Sequence, residues 1–124
     1  MMSTIEKLKK LIDEAEVVVI GAGAGLSSAA GFEYGGDFFK EHFPEMHKLG
    51  YKDMYSAGFH HFNSSGEKWA YWAKQIFYTR YQGVKELYKD LLDVVKDKNY
   101  FVITTNVDHQ FQLAGFDKNR LFYT

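Results

Sequence analysis

Apolar residues fall into two short unbroken runs, Val17–Ile20 and Tyr100–Ile103, and into longer stretches where they recur every three or four positions. Val17–Ile20 is a continuous β-branched run, which suits a strand buried on both faces of a parallel sheet. Helical spacing appears first at Ile5, Leu8 and Ile12, with Lys and Asp on the other side, behind the capping-box pattern Ser3-Thr4-Ile5-Glu6; the pattern predicts a helix over about 4–15. Ser27-Ser28-Ala29-Ala30 reads as the first turn of a short helix. Trp69, Trp72, Ile76 and Phe77 mark a helix from Glu67 to Gln82, and Val84, Leu87, Tyr88, Leu91, Leu92 and Val95 mark another. After Asn106 a short helix runs to about Ala114, closed by Gly115, and Leu121-Phe122-Tyr123 opens a third strand. Between Gly31 and Gly66 the periodicity fails. Glycines there alternate with Phe, Tyr and His, so positions 32–66 read as a long aromatic-rich loop of the kind that serves as a lid or binding segment.

Strands separated by helices imply right-handed crossovers and a parallel sheet. The fold class expected is α/β, a Rossmann-like parallel sheet with helices on both faces, in one unit over 1–124. Ending on a strand as it begins suggests a sheet truncated before its last strands. Such a sheet has an open edge and an apolar surface, so self-association is expected, by edge pairing or by burial of Phe111, Phe116 and Phe122 against a second copy. The alternative is that Phe38, Phe39, Phe43, Tyr51 and Tyr55 of the long loop fold back as the cover.

Composition narrows the partners. Fifteen basic and sixteen acidic residues among 124 leave a net charge of -1, which gives no electrostatic case for nucleic acid or an anionic membrane. There is no Cys, hence no disulfide, thiolate nucleophile or Cys-built zinc site. No apolar run approaches the ~20 residues of a membrane span, and a soluble, cytoplasmic protein is expected. The histidines do not suggest a metal: His60 and His61 are adjacent and point apart, and His42 and His47 lack an i,i+4 partner. His109 reads as a surface residue of the last short helix, and Trp69 and Trp72 as core or lid packing.

The candidate chemistry sits where the two apolar runs end. An open α/β sheet places its ligand crevice outside the carboxyl ends of its strands. There the second run breaks into Thr104-Thr105-Asn106-Val107-Asp108, and the first feeds Gly21-Ala22-Gly23-Ala24-Gly25-Leu26-Ser27, a turn open enough for phosphate to reach backbone N–H groups. The dinucleotide fingerprint G-x-G-x-x-G fails, because Leu26 or Ser28 stands where its last Gly should be, so a Rossmann dehydrogenase is disfavoured. Taken alone, the glycines could be a tight turn, and Asn106 and Asp108 a helix cap with an Asx turn.

In the register Gly23-Ala24-Gly25-Leu26-Ser27 with Gly31 following, the first cluster resembles the G-A-G-x-S…G pattern of the sirtuins, and Thr104-Thr105-Asn106-Val107-Asp108 resembles their T-Q-N-I-D motif, with Ala114-Gly115 where that family has its next A-G pair. The resemblance covers Val17 to Thr124 and is nearest to the bacterial macrodomain-linked sirtuins. It departs from the wider family at Gly31-Phe32-Glu33-Tyr34-Gly35-Gly36, which replaces G-I-P-D-F-R and its Arg and Asp. The resemblance implies NAD as cofactor and transfer to a protein substrate, either ADP-ribosyl transfer or lysine deacylation. It implies that Gly23, Ala24, Gly25, Leu26 and Ser27 meet the pyrophosphate, that Thr105, Asn106, Val107 and Asp108 line the nicotinamide ribose side, and that Asn106 and Asp108 are the catalytic pair. The catalytic His of the family would fall at or just past position 125, which macrodomain-linked members fill with Gln. The four-Cys zinc module of many members is absent from these residues. The chain is therefore expected to hold NAD without releasing nicotinamide. The competing function is a nucleotide-binding or regulatory module with no chemistry.

Overall fold

The two apolar runs become neighbouring strands. In a computed structural model describing residues 1–124, β1 (Val18–Ala22) and β2 (Tyr100–Thr104) run parallel, with Val18 opposite Tyr100 and Ala22 opposite Thr104. β3 (Leu121–Tyr123) pairs parallel to the other side of β2, giving the order β1-β2-β3. Parallel neighbours require crossover connections, and helices supply both. The architecture is α/β and Rossmann-like, as expected. No helix is long and apolar enough to cross a membrane.

α1 (Thr4–Glu14) starts at the predicted capping box: the Ser3 hydroxyl accepts from the Glu6 N–H at 3.2 Å, and the Glu6 carboxylate accepts from the Ser3 N–H at 2.7 Å. α2 (Ala24–Ala29) begins earlier than the Ser27 start read from sequence, directly after Gly23. α6 (Ser65–Arg80) and α7 (Glu86–Val95) lie close to their predicted spans, and α8 (Gln110–Ala114) closes on Gly115 in the left-handed region (φ 100°), the C-cap geometry that favours Gly. A short 3-10 turn, Lys118–Arg120, then leads into β3.

The segment 32–66 corrects its sequence reading. It holds three short helices, α3 (Gly36–His42), α4 (Pro44–Lys48) and α5 (Met54–Ala57), and the first residues of α6. Each of the three spans two turns or fewer, too little for a 3.6-residue period to show in the pattern. Their aromatics do not fold back over the sheet; with α6 they build a core of their own from Phe39, Phe43, Met46, Met54, Ala57 and Tyr71, while Tyr55 stays in solvent. A second core lies between the sheet and α7 and α8, formed by Tyr88, Val95, Tyr100, Val102, Phe111 and Phe116.

Burial along β2 alternates strictly, with Tyr100, Val102 and Thr104 inside and Phe101 and Ile103 outside. The expectation that the Val17–Ile20 strand is covered on both faces does not hold within this chain: Val19 joins Phe101, Ile103 and Phe122 in an open apolar face, and α1 buries none of its residues. Phe111 and Phe116, named above as contacts for a second copy, are instead 1% and 3% exposed, leaving Phe122 as the available one. An open apolar face drives association in water. The chain is expected to sediment above its monomer mass at micromolar concentration, and Phe101→Glu with Phe122→Glu to shift it toward monomer; a wild-type chain that stays monomeric would contradict this.

Candidate functional site

The parallel register brings the two motifs together. Because Ala22 lies opposite Thr104, the residues leaving β1 and β2 emerge side by side at the same end of the sheet. Thr104 fastens that end: its hydroxyl donates to the Ala22 carbonyl at 2.8 Å and accepts from the Asn106 N–H at 3.0 Å. Asn106 donates from Nδ2 to the Gly23 carbonyl at 2.9 Å, so the second motif holds the first turn in place.

Below this surface lies a buried polar cluster. Ser27, fully buried, donates its hydroxyl hydrogen to Asp108 Oδ2, and the Tyr88 hydroxyl, also fully buried, stands 2.6 Å from the same Ser27 oxygen. Asp108 is 3% exposed, and its other oxygen accepts from the Gln110 N–H at 3.1 Å. Gln110 is itself fully buried: its Oε1 accepts from the Lys85 N–H at 2.8 Å and its Nε2 donates to the Gly83 carbonyl at 2.8 Å. A carboxylate taken from water needs several donors, and here Ser27 and Gln110 supply them. Burial pushes the Tyr88 phenol above its ordinary pKa, with the Asp108 charge acting the same way and the Ser27 contact opposing. Tyr34 is raised by burial also, beside Ser27, Asp108 and Tyr88.

The sequence-predicted residues thus divide. Gly23, Ala24 and Gly25 are exposed, and a Cβ placed on Gly23 or Gly25 would meet nothing within 4 Å, so open space lies over the turn. The Leu26 N–H closes the turn on the Gly23 carbonyl at 3.1 Å. Asn106 is half-buried, Thr105 and Val107 are exposed, and Ser27 and Asp108 lie beneath. The Asx turn read as the structural alternative is present too, in the Asp108–Gln110 bond that leads into α8. Sequence reasoning missed Tyr88, Tyr34 and Gln110, and placed Thr104 in the second motif without a role of its own. Tyr88 falls on the apolar stripe of α7, and nothing in the spacing sets it apart from a core residue.

His109 follows in the left-handed region (φ 59°), uncommon for a residue with a side chain. Its Nε2 lies 2.5 Å from Arg80 Nη2; a guanidinium only donates, so this nitrogen accepts. Burial, then the Arg80 charge, lowers the His109 pKa, in keeping with a neutral ring. Of the other histidines, His60 and His42 are each held by a tyrosine hydroxyl at 3.0 Å, from Tyr51 and Tyr78. Trp72 packs on the helical core, whereas Trp69 is 65% exposed, contrary to the packing role expected for it. A cavity of about 430 Å³ among Phe43, Met46, Phe62, Tyr71 and Lys74 belongs to that core and contains none of the motif residues.

Along 95% of its length the chain is 39% identical to a Staphylococcus aureus protein named "Protein ADP-ribosyltransferase". It is related to ADP-ribosyltransferases. A Fusarium oxysporum protein named "Probable bifunctional ADP-ribose hydrolase/ADP-ribosyltransferase" is 31% identical over 91% of the chain. The chain spans 38% of the length of the first relative and 20% of the second. No model of a known protein family matches it. Both similarities run through the two motifs and the buried cluster that joins them, because each covers more than nine-tenths of the chain.

Proposed function

We propose that this chain is the NAD-holding part of a sirtuin-type transferase that passes ADP-ribose to a protein acceptor, or to the acyl oxygen of a modified lysine, with release of nicotinamide. The observation that carries this reading is the buried Ser27–Asp108 contact, which locks the glycine turn of β1 and the Asn-Asp end of β2 into one surface with open space over Gly23 and Gly25. The donor set suits NAD. The first N–H groups of a helix have no intrahelical partner, and those of Ala24 and Gly25 lie between two glycines over which space is open, which would admit a pyrophosphate to the main chain. The Leu26 N–H is engaged with Gly23 and Ser27 is buried, so their part is to hold the turn in shape.

NAD supplies a ribosyl carbon whose bond to nicotinamide breaks through an oxocarbenium-like transition state. Asp108 would accept from the nicotinamide carboxamide through the 3% of its surface that stays exposed, since each carboxylate oxygen keeps a lone pair after taking Ser27 or Gln110. Its negative charge also favours the cationic character that develops nearby. Asn106 has its amide nitrogen committed to Gly23, which leaves its Oδ1 to orient a ribose hydroxyl or a water. Thr105 and Val107, both exposed, flank that edge and complete the wall.

Calorimetric titration of the chain with NAD and with ADP-ribose tests the reading. Saturable binding of both is expected, with no nicotinamide released above background by these 124 residues. Absence of binding to either ligand would refute it. Binding by this chain together with nicotinamide release from it would keep the site but overturn the expectation that the chemistry needs residues beyond these.

A further inference from the structure

Tyr88 lies beyond both motifs, on α7, yet its hydroxyl is one of the groups nearest to Ser27. The hydrogen count fixes the direction of the contact. Ser27 has one hydroxyl hydrogen and gives it to Asp108, which as a carboxylate can only accept. The Tyr88 hydroxyl must then donate to Ser27, producing a directed chain from Tyr88 to Ser27 to Asp108. The Asn106 amide, 3.5 Å from the same phenol oxygen and 3.4 Å from Ser27, borders the chain. The ring is clamped as well: Phe111 meets it edge to face with centroids 5.0 Å apart, and the side chain has no exposure.

We infer that Tyr88 is a positioning residue for nicotinamide recognition, acting through Ser27 to hold the Asp108 carboxylate in one orientation. This rests on the NAD-holding reading above. A donor at Ser27 keeps that hydroxyl from turning away, so its hydrogen stays on Oδ2 and the remaining acceptor sites of Asp108 stay directed. Burial of the phenol keeps it protonated, and therefore donating, through the neutral range.

Tyr88→Phe removes the hydroxyl and keeps the ring. Tyr100→Phe is the control: Tyr100 is buried in the same core, but its hydroxyl accepts from the Asp117 N–H, away from the site. NAD and ADP-ribose differ by the nicotinamide, so their affinities separate the site from the scaffold. Tyr88→Phe is expected to weaken NAD about fivefold, the size of one neutral hydrogen bond, and ADP-ribose less than about twofold. Tyr100→Phe should weaken neither. Ser27→Ala breaks the same chain at its middle link and also loosens the turn that Ser27 holds, so it should weaken both ligands but NAD the more, and combining it with Tyr88→Phe should change the ratio of the two affinities little further. If Tyr88→Phe fails to fold, Ser27→Ala carries the test. Equal weakening of both ligands, or of neither, overturns the role given to Tyr88. A wild-type chain that binds neither ligand instead refutes the NAD reading and this inference with it.

Discussion

Asp108→Asn is expected to slow nicotinamide release by about 10- to 150-fold, well beyond a loss of NAD affinity of about fivefold, the same size as that expected for Tyr88→Phe. The range corresponds to losing one hydrogen bond to a charged group, roughly 1.5–3 kcal/mol. Asn keeps the shape of Asp but has a single carbonyl oxygen, and both Ser27 and Gln110 now donate to that side chain. One of the two must lose its partner or face the amide NH2, so the ordered cluster is disturbed as well as the charge removed. The pyrophosphate end, assigned by proposal to Gly23–Gly25, would not feel this directly. Steady-state rates and calorimetric affinities, measured on any longer protein that contains these residues and releases nicotinamide, would separate the effects. Loss of affinity and rate in equal proportion would make Asp108 a cap or a general binding residue.

The second large effect is expected at the glycine turn, where stability and binding should move in opposite directions. Gly25 lies in the first turn of α2 and a Cβ there meets nothing within 4 Å. Ala is favoured over Gly in a helix by about 0.5–1 kcal/mol, so Gly25→Ala should raise the unfolding midpoint slightly. The same methyl group stands in the space assigned to the pyrophosphate, and displacing one phosphate from its backbone donors costs about 2 kcal/mol, near 30-fold in affinity. Gly115→Ala supplies the contrast. Its left-handed conformation (φ 100°) penalises any side chain by about 1–2 kcal/mol, yet it lies beyond α8 and should leave NAD affinity unchanged. Urea melts and titrations should therefore separate the two variants, Gly25→Ala gaining stability and losing NAD affinity, Gly115→Ala losing stability and keeping NAD affinity. A Gly25→Ala chain that binds NAD as wild type does would remove the turn from the site.

These expectations rest on features that differ in how openly the sequence carries them. Both apolar runs declared strands, since Val17–Ile20 and Tyr100–Ile103 have no polar interruption, and β2 was legible to the residue. The same lack of interruption misled on burial in the first run, because an apolar residue at Val19 does not reveal whether this chain covers it. α3, α4 and α5 were hidden by length: four to seven residues cannot display an amphipathic period, and glycines near their ends look like loop punctuation. In the site, the open glycines, Asn106 and Asp108 were legible as polar or small residues behind strands. The contact between Ser27 and Asp108 was not, as it spans 81 positions and depends on strand register. Tyr88 was illegible for a different reason. A tyrosine on an apolar helical stripe has the spacing of a core residue, and its second role depends on a hydroxyl whose partner only the fold supplies.

Backbone amide NMR of the isotopically labelled chain during titration with NAD tests most directly whether the joined ends of β1 and β2 form the ligand site. Saturable shifts concentrated at Gly23–Ser27 and Thr105–Gln110 are predicted, with the helical core around Phe43 and Tyr71 unmoved. Shifts confined to the cavity beside that core, or no shifts at millimolar NAD, would contradict the assignment.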